Sequence, residues 1–228
     1  MSKGEEPYII EAKDIHKTYE IGKVRVEALR GVDLRIKAGE MVAIMGPSGC
    51  GKTTLLNVLS SLDEPSSGNV WIEGKELFNM TENEQADLRA KKMGFIFQSY
   101  NLLPVLSALE NVELPLMVGG VKKGSARKRA FEALKRVGLE EWELHKPAEL
   151  SGGQQQRVAI ARSLVNDPVM VWADEPTGNL DSTNSKQIME LLKKLNRELE
   201  QTYIIVTHDP KVAKIADRIV KMDNGMII

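Results

Sequence analysis

The stretch "MVAIMGPSGCGKTTLLNVL", Met41 to Leu59, decides the architecture. Met41–Met45 is a compact apolar run, as expected of a buried strand, and the residues after Lys52 have the apolar spacing of a helix. Between them Gly46–Thr53, "GPSGCGKT", matches G-x-x-x-x-G-K-[ST]. Gly46, Pro47, Ser48, Gly49, Cys50 and Gly51 form a loop whose backbone N–H groups can curl into an anion nest. Lys52 reaches toward β and γ phosphates, the Thr53 hydroxyl can ligate Mg2+, and Thr54 continues the helix start. A glycine-rich turn without a ligand needs neither the lysine nor the hydroxyl.

Working outward, "YIIEAKDI" and "VRVEALRGVDLRI" read as strands, "GNVWIEGKEL" as a hairpin strand and "MGFIFQ" as a further strand. Thr81 and Glu84 have capping-box spacing before a short helix. From about Ser99 to Asp167 the pattern turns helical, with Ala130, Phe131, Leu134 and Val137 along one side of a helix that Gly138 stops. "VMVWAD" and "TYIIVTH" are strands, and between them Ile188, Leu191, Leu192, Leu195 and Leu199 recur at helical spacing. "DRIVKMDNGMII" reads as a hairpin turning at Asn-Gly. Strand and helix alternate at both ends of the chain around a mostly helical block, so the fold class is α/β with a helical insert.

Two more segments carry chemistry. "VMVWADE" ends an apolar strand in Asp174, placed to hold magnesium, and Glu175, placed to polarise an attacking water. "LSGGQQQRVAIAR", Leu150–Arg162, begins a helix at Ser151, Gly152, Gly153 and Gln154, where the dipole and unpaired N–H groups favour an anion. The chain therefore holds two anion sites where one phosphate loop would suffice.

With these three elements together, "LSGGQ" resembles the signature of ABC transporter ATPase subunits, and the similarity runs over essentially the whole chain. The resemblance implies a P-loop core, built from 1–98 and 168–228 with an antiparallel β subdomain, and a helical signature subdomain, 99–167. It implies ATP and Mg2+ as cofactors. By the same resemblance Gln98 senses Mg2+ and couples to a membrane partner, Asp181 ends a dimer-contact loop, "GNLD", and His208 is the switch histidine near the γ phosphate. Tyr19 resembles the aromatic that stacks on adenine. The implied catalytic set is Glu175, His208, Lys52 and Gln98; the implied metal set is Thr53, Gln98 and Asp174. The implied assembly is a head-to-tail homodimer formed on ATP binding, each ATP lying between one phosphate loop and the other copy's "SGGQ". An integral membrane permease subunit would be driven by it. "NLLPVLSALENVELPL" and "ADEPTGNLD" look most like the branch holding the lipoprotein-release and macrolide-efflux ATPases; many importers carry "SALD" in place of "GNLD".

Composition sets the remaining bounds. A net charge of -1 lacks the footprint of a dedicated nucleic-acid binder, so no nucleic acid is expected as partner. The single cysteine fits a reducing compartment. The start "MSKGEEPYII" has no signal-peptide pattern and no apolar run has membrane-spanning length. A cytoplasmic protein is expected, peripheral on the inner face of the membrane through its permease. Cys50, where a serine is common, is expected to react with thiol reagents unless nucleotide shields it. A small-molecule kinase would share the phosphate loop but has no use for "LSGGQ". An ABC-type ATPase for cell division, DNA or translation would share every motif and stays open as an alternative.

Overall fold

The computed structural model describes residues 8–22 and 24–228. The leader Met1–Pro7, where most of the signal-peptide reading falls, and Lys23 lie outside the described residues. Two long strands come first, β1 (Tyr8–Ile21) and β2 (Val24–Lys37), then β3 (Met41–Met45), helix α1 (Lys52–Leu59) and the short strands β4 (Ser67–Ile72) and β5 (Lys75–Glu76). Helix α2 (Glu82–Lys92) leads to β6 (Met93–Phe97) and to three helices, α3 (Ala108–Val118), α4 (Lys123–Arg136) and α5 (Gly152–Leu164). The chain continues through β7 (Met170–Asp174), α6 (Ser182–Leu199), β8 (Thr202–Thr207), the single turn α7 (Pro210–Ala213), β9 (Arg218–Asp223) and β10 (Met226–Ile227).

One sheet is antiparallel, in the order β2-β1-β4-β5; the other runs β10-β9-β3-β8-β7-β6 and is parallel except for the terminal β10–β9 hairpin. The central strands are continuous apolar runs because both of their faces are covered. Along them the side chains alternate between two cores, as a period of two requires. Val42, Ile44, Met170, Trp172, Ile204 and Val206 face α1 and the antiparallel sheet, whereas Val171, Ala173, Tyr203 and Ile205 face the core shared with α3 to α6.

The local signals act where the residues place them. Asn224 and Gly225 turn the last hairpin with φ of 47° and 79°, the pair of positive angles that a two-residue turn matching strand twist needs. The Thr81–Glu84 capping box is present. Gly138, at φ 72°, follows the end of α4, where Ala130, Leu134 and Val137 are buried and Phe131 is partly so. In α6, Ile188, Leu192 and Leu195 are buried and Leu191 and Leu199 partly buried. One close approach ties the helical block to the parallel sheet: a Cβ on Gly94 of β6 would lie 2.2 Å from the Ser163 carbonyl oxygen of α5.

Candidate active site

Four neighbouring strands deliver chemistry to one edge of the sheet. β3 runs into the Gly46–Thr53 loop, β8 into His208, β7 into Glu175 and β6 into Gln98, and the register pairs Met45 with Thr207, Val206 with Asp174, and Asp174 with Phe97. Carboxyl ends of parallel strands are where open α/β sheets bind ligands.

The phosphate loop is shaped by close packing. A Cβ on Gly46 would lie 2.0 Å from the Met222 carbonyl oxygen, and Gly51, at φ 103°, would carry one 2.5 Å from the Ala28 oxygen. Gly51 N-caps α1 without a side-chain hydrogen bond, whereas Thr81, Ser107, Ser151 and Asp181 cap α2, α3, α5 and α6 with theirs. The α1 start thus keeps its N–H donors for an anion. Lys52 Nζ lies across the loop, donating to the Gly46 and Pro47 oxygens at 2.9 and 2.8 Å, and an ammonium has a third proton to give. Cys50 departs from expectation: the residue is buried, at 6% exposure, and packed against the core beneath the loop, so it is a packing residue with little access for reagents.

Thr53 Oγ1 donates to Asp174 Oδ1 at 3.1 Å. Burial pushes the Asp174 carboxyl above its ordinary range; the Thr53 hydrogen bond and the Lys52 charge work against that shift, and the Glu175 charge adds to it. Among the described residues no group of three or more His, Cys, Asp or Glu side chains could hold a metal. Hydroxyl and carboxylate oxygens, supplemented by phosphate, are the donor set of Mg2+, which takes few protein ligands and keeps the rest for substrate and water. These residues fit that ion.

Glu175 sits at φ 47°, an angle uncommon for a residue with a side chain, with its N–H donating to the Val206 oxygen at 2.9 Å. Its Oε1 is 2.8 Å from His208 Nδ1. Gln98 is exposed and paired with Asn179: Gln98 Nε2 donates to Asn179 Oδ1 at 3.2 Å, and Asn179 Nδ2 donates to the Gln98 backbone oxygen at 3.1 Å. Tyr19 lies apart, at the antiparallel sheet, its hydroxyl donating to Asp63 Oδ2 at 2.7 Å.

The helix start at "LSGGQ" is also legible atom by atom. Ser151 Oγ accepts from Gln154 N at 3.3 Å and Gln154 Oε1 accepts from Ser151 N at 2.8 Å, a complete capping box. That leaves the Ser151 hydroxyl proton and the first-turn N–H groups of Gly152 and Gly153 for a ligand. The glycines are needed for packing as well. A Cβ on Gly152 would be 2.9 Å from the Tyr100 hydroxyl, and one on Gly153 would be 2.7 Å from Asn184 Oδ1. Asn184 in turn bonds Asp181, the N-cap of α6, whose carboxyl is held below its ordinary range by hydrogen bonds from Asn184. Among the described residues no hydrogen bond joins Gly46–Thr53 to Ser151–Gln154.

Sequence reasoning missed several supporting groups. Lys17 donates to Asp63 Oδ1 at 2.6 Å and lies 4.9 Å from the Tyr19 ring centre, so Lys17, Tyr19 and Asp63 form one unit. The two-residue spacing of Lys17 and Tyr19 on a strand was the available signal; Asp63 had none. Asn179 and Arg162, whose guanidinium donates to the Tyr100 and Asn101 oxygens at 2.8 and 2.5 Å, were also unassigned. A cleft of about 1370 Å³ lies elsewhere, lined by Tyr8, Glu11, Arg35, Glu40, Trp71 and Arg218, with the ion pairs Arg35–Glu11 and Arg218–Glu40 in its walls.

Comparison with known proteins gives a consistent picture. A family model described as ABC transporter matches residues 29–178. The chain is 50% identical over 221 residues to the macrolide export ATP-binding/permease protein MacB of Syntrophobacter fumaroxidans, a match that spans 96% of this chain but 31% of that protein. It is 45% identical over 219 residues to the lipoprotein-releasing system ATP-binding protein LolD of Saccharophagus degradans, with 96% of each covered. The ATP-binding cassette MJ0796 of Methanocaldococcus jannaschii, solved as a dimeric post-hydrolysis state bound to ADP and Pi, superposes with a TM-score of 0.88 at 48% identity over 96% of each chain.

Proposed function

The chain belongs to the ABC transporter family as an ATP-binding domain, and from that membership and the geometry above we propose that it hydrolyses ATP in a head-to-tail homodimer to drive a separate membrane permease. The observation that carries this is the convergence of Lys52, Thr53, Asp174, Glu175, Gln98 and His208 at one sheet edge, with the "SGGQ" donors making no bond to that edge among the described residues. A second copy's Ser151, Gly152 and Gly153 would complete the phosphate cage in trans. The dimeric MJ0796 cassette supports that assembly by similarity.

Within the site Lys52 and the loop amides hold the β and γ phosphates of ATP, and Tyr19 stacks on adenine. Thr53, Asp174 and Gln98 hold Mg2+, which, when bound, neutralises charge on the transferring phosphoryl group. Glu175 takes a proton from the attacking water as its oxygen bonds the γ phosphorus and the bond to the β-phosphate oxygen breaks. His208 keeps Glu175 in register with the γ phosphate. Once that phosphate leaves, nothing holds the opposing signature and the dimer parts.

We assign segment 99–167 as the arm that presents the signature, and the described residues of 1–98 with 168–228 as the nucleotide core. No helix of the described residues is long and apolar enough to cross a membrane. A peripheral position on the cytoplasmic face, bound to a membrane subunit through the Gln98 side, completes the reading; the names of the macrolide export ATP-binding/permease relative and of the lipoprotein-releasing relative support an export or lipoprotein-release system with a permease partner. The test is ATP turnover by the purified chain with and without its co-purified membrane partner. Absence of turnover in both would overturn the reading.

A further inference from the structure

The "GN" of "GNLD", the feature that sets this loop apart from "SALD", bears directly on the glutamine at the neighbouring strand end. Gln98 and Asn179 are joined twice. Amide oxygen and nitrogen are often interchangeable by geometry, but here one partner is a backbone carbonyl, which only accepts. The group that Asn179 turns toward the Gln98 carbonyl, 3.1 Å away, must therefore be its NH2. Its Oδ1 is left facing the Gln98 side chain at 3.2 Å, and an oxygen there requires Gln98 to answer with its own NH2. With Nε2 committed, Gln98 Oε1 is the end left free. Gly178 makes room for this arrangement: a Cβ there would come within 2.7 Å of Gln98 Nε2 and 2.9 Å of its Cδ.

We propose that Asn179, with Gly178, is a positioning element that fixes the side-chain amide of Gln98 oxygen-outward, so that Gln98 presents an oxygen rather than an N–H to the Mg2+–phosphate site. The inference rests on the assignment of Gln98 to that site. An oxygen is the donor a hard divalent cation accepts, and an NH2 in its place would repel it. Because Asn179 lies two residues before Asp181, the loop that would meet the second copy also sets this orientation. A change in that loop on dimer contact would then reach the metal site through two hydrogen bonds.

The test is a Mg2+ titration of binding of a non-hydrolysable ATP analogue to the full chain by calorimetry, with an EDTA control. The variants are Asn179→Ala, Gly178→Ala, Gln98→Ala and the double variant Asn179→Ala/Gln98→Ala. Asn179 is exposed and Gly178 does not have positive φ, so both substitutions leave the fold intact, checked by the melting curve in EDTA. Outer partners that orient a metal ligand typically contribute 10–100-fold, so each single variant should weaken the Mg2+-dependent part of binding about tenfold while binding in EDTA is unchanged. The double variant should lose no more than Gln98→Ala alone. A full Mg2+ response in Asn179→Ala and Gly178→Ala, with the response lost in Gln98→Ala, overturns the positioning role and keeps the Gln98 assignment. A full response in Gln98→Ala removes that assignment and the inference with it. Additive losses in the double variant also overturn it.

Discussion

His208 Nδ1 stands 2.8 Å from Glu175 Oε1, joining the residue after β8 to the residue after β7 at the edge where the phosphate loop opens. A carboxylate only accepts, so in this pairing Nδ1 is the donor, with Nε2 facing away from Glu175. Glu175→Gln keeps an accepting oxygen for His208 and removes the carboxylate proposed above as the base. Turnover should fall by about 10²–10⁴-fold, the contribution of a positioned base, while ATP binding persists and an ATP-bound dimer accumulates on gel filtration. Hydrolysis at the parent rate would remove Glu175 from its role.

Ser151 caps α5 and, in the proposed dimer, would face a second copy's γ phosphate, and the two can be separated. Its oxygen caps α5, and losing an N-cap costs about 1 kcal/mol, so Ser151→Ala confounds stability with catalysis. Ser151→Asp retains the cap, since Asp is as good an N-cap, but sets a carboxylate where a second copy's γ phosphate would sit. The melting temperature should hold and monomer ATP binding should be normal, with dimerisation lost and turnover down on the order of a hundredfold. Ser151→Arg should block the dimer by bulk. Full turnover in either variant would refute the trans arrangement.

These positions differ in how plainly the sequence announces them, and the difference is physical. The phosphate loop, Asp174 and the Asn224–Gly225 turn rest on local geometry, where a few consecutive residues fix the backbone, so the chain order alone is enough. Asp63 and Asn179 act across separations of tens of residues, through side chains with no periodic or compositional mark, and only the packed sheets bring them to Tyr19 and Gln98. Gly152 and Gly153 look like anion-nest glycines in the sequence. In the fold they also answer to Tyr100 and Asn184, contacts that no local pattern encodes. Cys50 is the reverse case: a helix-start cysteine suggests an accessible thiol, and packing into the core beneath the loop, with Sγ close against Gly46, buries it.

Tyr19 is held by its hydroxyl and available by its ring. Burial, then the hydrogen bond to Asp63, hold the phenol above its ordinary range, so it stays neutral and donates. At Asp63 burial opposes ionisation, but hydrogen bonds from Lys17 and Tyr19 outweigh it and the carboxyl lies below its usual range. Tyr19→Phe keeps a stacking face and should bind ATP within about threefold of the parent, whereas Tyr19→Ala should lose about fivefold, matching ~1 kcal/mol of aromatic contact. Fluorescence titration with ATP reads both. Equal loss in the two variants would assign Tyr19 to positioning through its hydroxyl rather than to stacking.

Asp174 should lower stability in exchange for metal binding. Its carboxyl is raised by burial, with Thr53 and Lys52 opposing and Glu175 adding, so the folded chain holds this proton more tightly than the unfolded chain does. The sign follows from linkage: ionised Asp174 subtracts from stability at any pH above its folded pKa, and that deficit fades as pH falls through the folded pKa toward the unfolded value near ~3.9. Asp174→Asn keeps an oxygen for Thr53 Oγ1 and carries no charge. In EDTA at neutral pH it should melt above the parent, and the difference should shrink on acidification until the two curves meet near pH ~4. The same variant should lose the Mg2+-dependent part of ATP binding by at least about tenfold. A variant that melts below the parent at neutral pH would instead make the Asp174 carboxylate a structural anchor between β7 and the loop.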